Sequence, residues 1–183
     1  MNLRIVSGSL RGRVIRARER ELDFRPTLGR TRQAIADMLS PDLPGSAACD
    51  LCAGSGAFGF EMISRGAASV DFIELDRARC ALIRENAAEF GVLDRCRFIV
   101  REAAGFVRSA SVRYDIIFFD PPYDDAAMPD LVPGLIRLLT PRGVLLFQRR
   151  RKRGVGADNG SGPAPDAVKT FGDTVVECYR PGT

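Results

Sequence analysis

The sequence predicts an α/β protein built on a Rossmann-like, mostly parallel sheet, and three observations predict it. Between Ala47 and Val144 short apolar runs alternate with longer amphipathic stretches, the rhythm of β/α/β units. A glycine-rich turn follows the first apolar run, and an acid, Glu74, stands at the end of the second. Two β-rich runs near the end, joined at Gly172-Asp173, read as an antiparallel pair at the sheet edge.

Taken in order, the first 26 residues lie outside this pattern. Their segment Arg11-Gly12-Arg13-Val14-Ile15-Arg16-Ala17-Arg18 alternates as a short strand or hairpin with a basic face would. Ala47 to Ala53 reads as the first strand, and Phe58 to Arg65 as a helix stopped by Gly66. Val70 to Leu75 is a second strand. Asp76 to Phe90 carries Ala78, Ala81, Leu82, Ile83, Ala87 and Phe90 at helical spacing and ends at Gly91. Arg97 to Val100 is a third strand, and Tyr114 to Phe119 (YDIIFF) a fourth, apolar enough for burial on both faces. Ala126 to Leu139 predicts a helix with Thr140-Pro141-Arg142-Gly143 as its terminator, and Val144 to Gln148 a fifth strand. Arg149 to Pro165 is basic and then rich in Gly, Pro and Ser, the composition of a loop. Val168 to Phe171 and Thr174 to Tyr179 form the closing pair.

Composition narrows the function classes. A chain of 183 residues, 45% hydrophobic and 27% charged, suits one compact domain. It has no apolar run of about 18 residues and no signal-peptide pattern at its start, so a cytoplasmic location is expected. Five cysteines are an odd number and predict free thiols, not a disulfide framework. Cys49 and Cys52 form a C-x-x-C pair, but in a strand a separation of three sends side chains to opposite faces, so no metal or redox pair is expected. The chain has no histidine, which excludes an imidazole base and a Ser-His triad. Charge is unevenly placed. Residues 1–32 hold nine Arg against three acids, residues 33–147 eleven basic against sixteen acidic groups, and residues 148–183 seven basic against four acidic. Basic ends on an acidic body predict a polyanionic partner, and divide the chain into a basic extension, 1–32, and a catalytic domain, 33–183.

Chemistry concentrates at two motifs. Asp50-Leu51-Cys52-Ala53-Gly54-Ser55-Gly56 places an acid in a strand and glycines in the turn after it, where backbone can approach a ligand with no Cβ in the way. Gly54 to Gly59 satisfies G-x-G-x-x-G, and Glu74 stands where a ribose-binding acid belongs. These features indicate an adenosine-containing cofactor and fit a nicotinamide or flavin enzyme as well as a methyltransferase. The second motif, Asp120-Pro121-Pro122-Tyr123, follows the fourth strand on the same sheet edge. Two prolines fix φ and remove two N–H donors, leaving a rigid segment with free carbonyls. The exocyclic amine of a base is weakly nucleophilic; an enzyme must accept its hydrogens, aim its nitrogen and hold the ring. Asp120 and the Pro121 carbonyl are the candidate acceptors, with Tyr123 stacking on the base. Methyl transfer to a base amine is the reading; adenine N6 in DNA or RNA, and more distantly a nicotinamide-dependent oxidoreductase or a non-catalytic RNA-binding domain, stay open.

The sequence resembles the bacterial small-subunit ribosomal RNA guanine-N2 methyltransferases of the RsmD type. The resemblance rests on Leu3-Arg4-Ile5-Val6-Ser7-Gly8 with Arg11-Gly12-Arg13, Arg25-Pro26-Thr27 with Arg30 and Arg32, Asp50 to Gly59, Glu61 to Ala67, Asn86, Asp115 to Tyr123, and Phe171-Gly172-Asp173-Thr174. It implies a seven-stranded class I methyltransferase fold with a C-terminal antiparallel edge hairpin, S-adenosylmethionine as donor, and a guanine amine in 16S-type rRNA, naked or in an assembling small subunit, as acceptor. It implies cofactor contacts at Asp50, Ala53, Gly54, Ser55, Gly56, Glu74, Leu75, Glu102 and Ala103, catalysis at Asp120, Pro121, Pro122 and Tyr123, and RNA contacts at Arg4, Arg11, Arg13, Arg25, Thr27, Arg30 and Arg32. No metal and a monomeric protein are expected. Three residues depart from the family's pattern: Gly29 and Gln148 stand where acids are usual, and Glu102 where an Asp precedes the alanine.

Overall fold

The computed structural model describes residues 3–17, 29–122, 125–151 and 162–182. A seven-stranded sheet forms the centre. In chain order the elements are β1 (Leu3–Arg4), β2 (Val14–Ile15), α1 (Gly29–Met38), β3 (Ala47–Leu51), α2 (Ala57–Ser64), β4 (Ser69–Glu74), α3 (Arg77–Phe90), β5 (Cys96–Val100), α4 (Ala103–Ser109), β6 (Tyr114–Phe119), α5 (Val132–Arg137), β7 (Leu139–Arg150), β8 (Ala167–Phe171) and β9 (Thr174–Tyr179). The sheet runs β5-β4-β3-β6-β7-β9-β8; the first five strands are parallel, and β9 and β8 are antiparallel additions. The chain steps outward from β3 through β4 to β5, then returns to β6 on the other side of β3. The β3/β6 seam is therefore the topological switch point, where open α/β sheets bind their ligands.

The pleat sorts the core into two faces. Ala48, Phe72, Ile116, Phe118, Leu146 and Val176 pack with α1, α2, α3 and the β1–β2 hairpin, whose Ile5, Leu10 and Ile15 are buried in the same cluster. Cys49, Leu51, Ile73, Ile117, Phe119, Leu145 and Phe147 pack with α4 and α5. The division expected after residue 32 falls inside α1, and the hairpin shares the core of the main body. Among the described residues no helix is long and apolar enough to cross a membrane.

Several expected elements shift. The first strand stops at Leu51 because Cys52 takes a left-handed φ of 64°. Asp76 caps α3, its carboxylate accepting the N–H groups of Ala78 and Arg79, and Gly91 closes it at φ 71°. The helix expected over 126–139 is broken: a 3₁₀ turn, Met128–Leu131, precedes the short α5, with Pro129 and Pro133 each opening a segment that cannot run on from the one before. Thr140–Gly143 does not simply end a helix but forms a bulge inside β7. The pairing jumps from Tyr114 with Leu139 to Ile116 with Val144. The helices α1 and α4 had no counterpart among the expected elements.

Candidate active site

The carboxyl ends of β3, β4, β5, β6 and β7 bring the two motifs to one edge. Gly54 and Gly56, at φ 55° and 74°, turn the chain from β3 into α2, and a Cβ on Gly54 would point into open space. The backbone there is free to meet a ligand. Glu74 faces the turn from β4: Oε2 accepts the Gly54 N–H at 2.8 Å and Oε1 the Asp76 N–H at 2.9 Å, so the carboxylate both braces the turn and keeps lone pairs for a further donor. Leu75 beside it is 67% exposed, an unusual state for leucine and the one expected of a side chain that covers a flat apolar ligand. Ala53 and Ala103 are buried, Ser55 is half-buried, and Glu102 is exposed where it precedes α4.

Asp50 lies behind this edge. It is 2% exposed and its Oδ2 accepts the Gly59 N–H of α2 at 2.8 Å. Gly59 is required there, since a Cβ would come within 2.2 Å of the Phe72 ring and 3.0 Å of that oxygen. Burial, with Asp120 and Glu74 nearby, pushes the Asp50 carboxyl up to about 8, although the Gly59 N–H opposes the shift. Its geometry is that of a group holding α2 against β3 directly beneath the glycine turn. The C-x-x-C expectation also changes. Cys49 and Cys52 border the same apolar cluster because Cys52 lies past the strand end, and burial pushes the Cys52 thiol up to about 12. A thiol so hard to ionise is a poor ligand and nucleophile, and no group of three or more potential metal ligands occurs among the described residues.

Asp120 sits one residue beyond β6, its N–H directed at the Leu51 carbonyl across the switch point at 3.4 Å. Gln148, fully buried in β7, donates from Nε2 to Asp120 Oδ1 at 2.9 Å. Burial pushes the Asp120 carboxyl up to about 7, with the Gln148 hydrogen bond opposing it. Gln148, noted in the sequence only as a departure from an acid, is thus the partner that fixes Asp120. A strand alternation running out to Asp120 and Gln148 at matched register is the signal that could have found it. Pro121 is buried and Pro122 exposed; Tyr123 lies outside the described residues.

The arginines divide. Arg4, Arg11 and Arg13 are exposed, with Arg4 Nη1 donating to the Gly12 carbonyl. Arg32 is 3% exposed, donates to the Arg4 carbonyl and lies 3.8 Å from Glu61, itself fully buried and accepting from Val6 N–H and Arg65. A guanidinium enclosed in this way cannot reach a phosphate; Arg32 ties α1 and the hairpin to α2, which corrects the RNA contact expected of it. Arg25, Thr27 and the Arg30 side chain lie outside the described residues.

The sequence model of a family described as conserved hypothetical protein 95 matches residues 3–180. The chain belongs to this family. Over 121 residues it is 33% identical to ribosomal RNA small subunit methyltransferase D of Escherichia coli K12, a match that takes in 66% of this chain and 60% of that protein, so the chain aligns with less than two thirds of that relative's length. The protein of the same name from Haemophilus influenzae is 31% identical over 124 residues, covering 66% of this chain and 64% of that one. Among solved structures, "Putative methyltransferase yhhF from Escherichia coli" superposes with a TM-score of 0.82 at 26% identity over 98% of this chain and 97% of that one. SMU.776, solved as a complex with S-adenosylhomocysteine, shares the fold at a TM-score of 0.66 and 13% identity, over 80% of this chain and 48% of that one. The chain thus has the fold of solved proteins described as methyltransferases.

Proposed function

We propose that this member of the family transfers the methyl group of S-adenosylmethionine to the exocyclic N2 amine of a guanine in small-subunit ribosomal RNA. The observation that carries the reading is the Asp120 carboxyl, fixed by Gln148 at the switch point on the same edge as the Gly54–Gly56 turn and Glu74. The residues fit the donor: Glu74 has lone pairs for ribose hydroxyls, Leu75 an apolar face for the adenine, and the Gly54 turn room for close approach. When bound, the donor supplies an electrophilic methyl on sulfur; everything else falls to the chain. Asp120 and the Pro121 carbonyl accept the amine hydrogens and aim the nitrogen, Tyr123 packs on the ring, and a carboxyl with pKa about 7 takes the proton that nitrogen releases on methylation. Support for an RNA acceptor comes from the relatives' names and from the exposed arginines of the hairpin. The acceptor is naked rRNA or an assembling subunit, and the protein acts as a cytoplasmic monomer.

The test is transfer of isotopically labelled methyl from S-adenosylmethionine to 16S rRNA, to small subunits and to duplex DNA, followed by digestion to nucleosides and mass analysis. N2-methylguanosine from the RNA arms is expected. Label in N6-methyladenine would replace guanine with adenine, and tight NAD binding without S-adenosylhomocysteine binding would overturn the reading altogether.

A further inference from the structure

β7 ends as Gln148-Arg149-Arg150, with Arg151 just beyond it, and the pleat assigns the strand's side chains different work. Gln148 is on the face of Asp120. Arg149 points to the other face, where Nε and Nη2 hold Glu177 at 2.7 and 2.6 Å. Arg150 returns to the Gln148 face, about 7 Å further along the strand, and is exposed. Arg151 is also exposed, and its backbone N–H is tied to the Asp173 carbonyl in the β8–β9 turn at 2.7 Å. Neither Arg150 nor Arg151 is ion-paired with any described residue, in contrast to Arg16, Arg32, Arg65, Arg97 and Arg149.

The hairpin arginines are placed differently. The turn that carries Arg11 and Arg13 is pinned to the far end of α2, Ser9 N–H to the Ser64 carbonyl and Leu10 N–H to Ser64 Oγ. The glycine turn is at the near end, roughly 12 Å away along that helix. Arg150, at the end of the paired strand and on the Asp120 face, has the shorter reach to a nucleotide whose base enters the site, and Arg151 follows it one residue beyond the strand, its backbone held by the Asp173 carbonyl.

We propose that Arg150 and Arg151 form a phosphate clamp for the backbone that flanks the methylated base, a contact set separate from the hairpin. The inference rests on the RNA-methyltransferase reading. Phosphate contacts position the polymer without reading its sequence, so the clamp governs affinity and salt dependence more than the rate once RNA is bound.

The experiment compares the full chain with the double variant R150Q/R151Q, using a labelled rRNA stem-loop with an unpaired guanosine, across 50–200 mM salt. Loss of two contacts predicts RNA affinity down about tenfold at 0.1 M salt and a log-log salt slope shallower by roughly 1.4, KM for RNA raised with kcat retained, and S-adenosylhomocysteine affinity unchanged as a check on the fold. Parent-like affinity and slope in a variant that still methylates RNA would overturn the clamp alone. A parent protein that neither binds nor methylates RNA would overturn the underlying reading and the clamp with it.

Discussion

At the residue scale, Asp120 is where environment and chemistry meet. Desolvation at the sheet edge raises its carboxyl to about 7, and the Gln148 amide, donating to the charged form, pulls the other way. The carboxylate form is the stronger acceptor for an amine N–H and the only one that can take its proton. Activity should therefore fall as pH drops below about 7 and level off above it, with kcat/KM reporting the free protein. Replacing Gln148 with Met keeps the volume but removes the donor, which raises the pKa, so the rising limb of the pH–kcat/KM profile is expected to move to higher pH. An unmoved limb would detach Gln148 from Asp120. The motif itself was legible because it needs only four adjacent residues. Its partner was not, because Gln148 is 28 positions away and joins it only through strand register.

At the scale of elements, the parallel strands were readable wherever burial on both faces leaves an unbroken apolar run, as in β6, and α3 was readable from its capping Asp76 and Gly91. What escaped has physical causes. In α4, seven residues long, only Ala103 and Phe106 are buried, too few for a period. In α1 a buried arginine takes a core position, so its pattern looks solvent-facing. Arg32 shows how misleading charge alone can be: nine arginines in the first 32 residues suggest a uniform nucleic-acid face, yet this one belongs to the Glu61 cluster that anchors the hairpin. Burial lowers its pKa while Glu61 holds it charged. Arg32→Ala should cost about 3 kcal/mol of stability in urea unfolding, the low end for a broken buried pair because Arg65 and Val6 N–H still serve Glu61. Intrinsic RNA affinity of the folded variant should hold. Unchanged stability with weakened RNA binding would return Arg32 to the interface.

For the whole molecule, the sheet's topology does the assembling. The glycine turn, Glu74, Asp120 and Gln148 come from four different strands, and they meet because the chain reverses direction of growth at β3. One face of the sheet binds the hairpin and three helices, so the hairpin is built into the core that positions the site. On the proposed mechanism Asp120 orients a base amine next to a donor held by the neighbouring turn. Single-turnover methyl transfer to 16S rRNA by Asp120→Ala, with S-adenosylhomocysteine affinity measured on the same sample, tests it most directly. A rate at least about 100-fold below the parent is expected with the affinity retained; a parent-like rate would remove Asp120 from the mechanism.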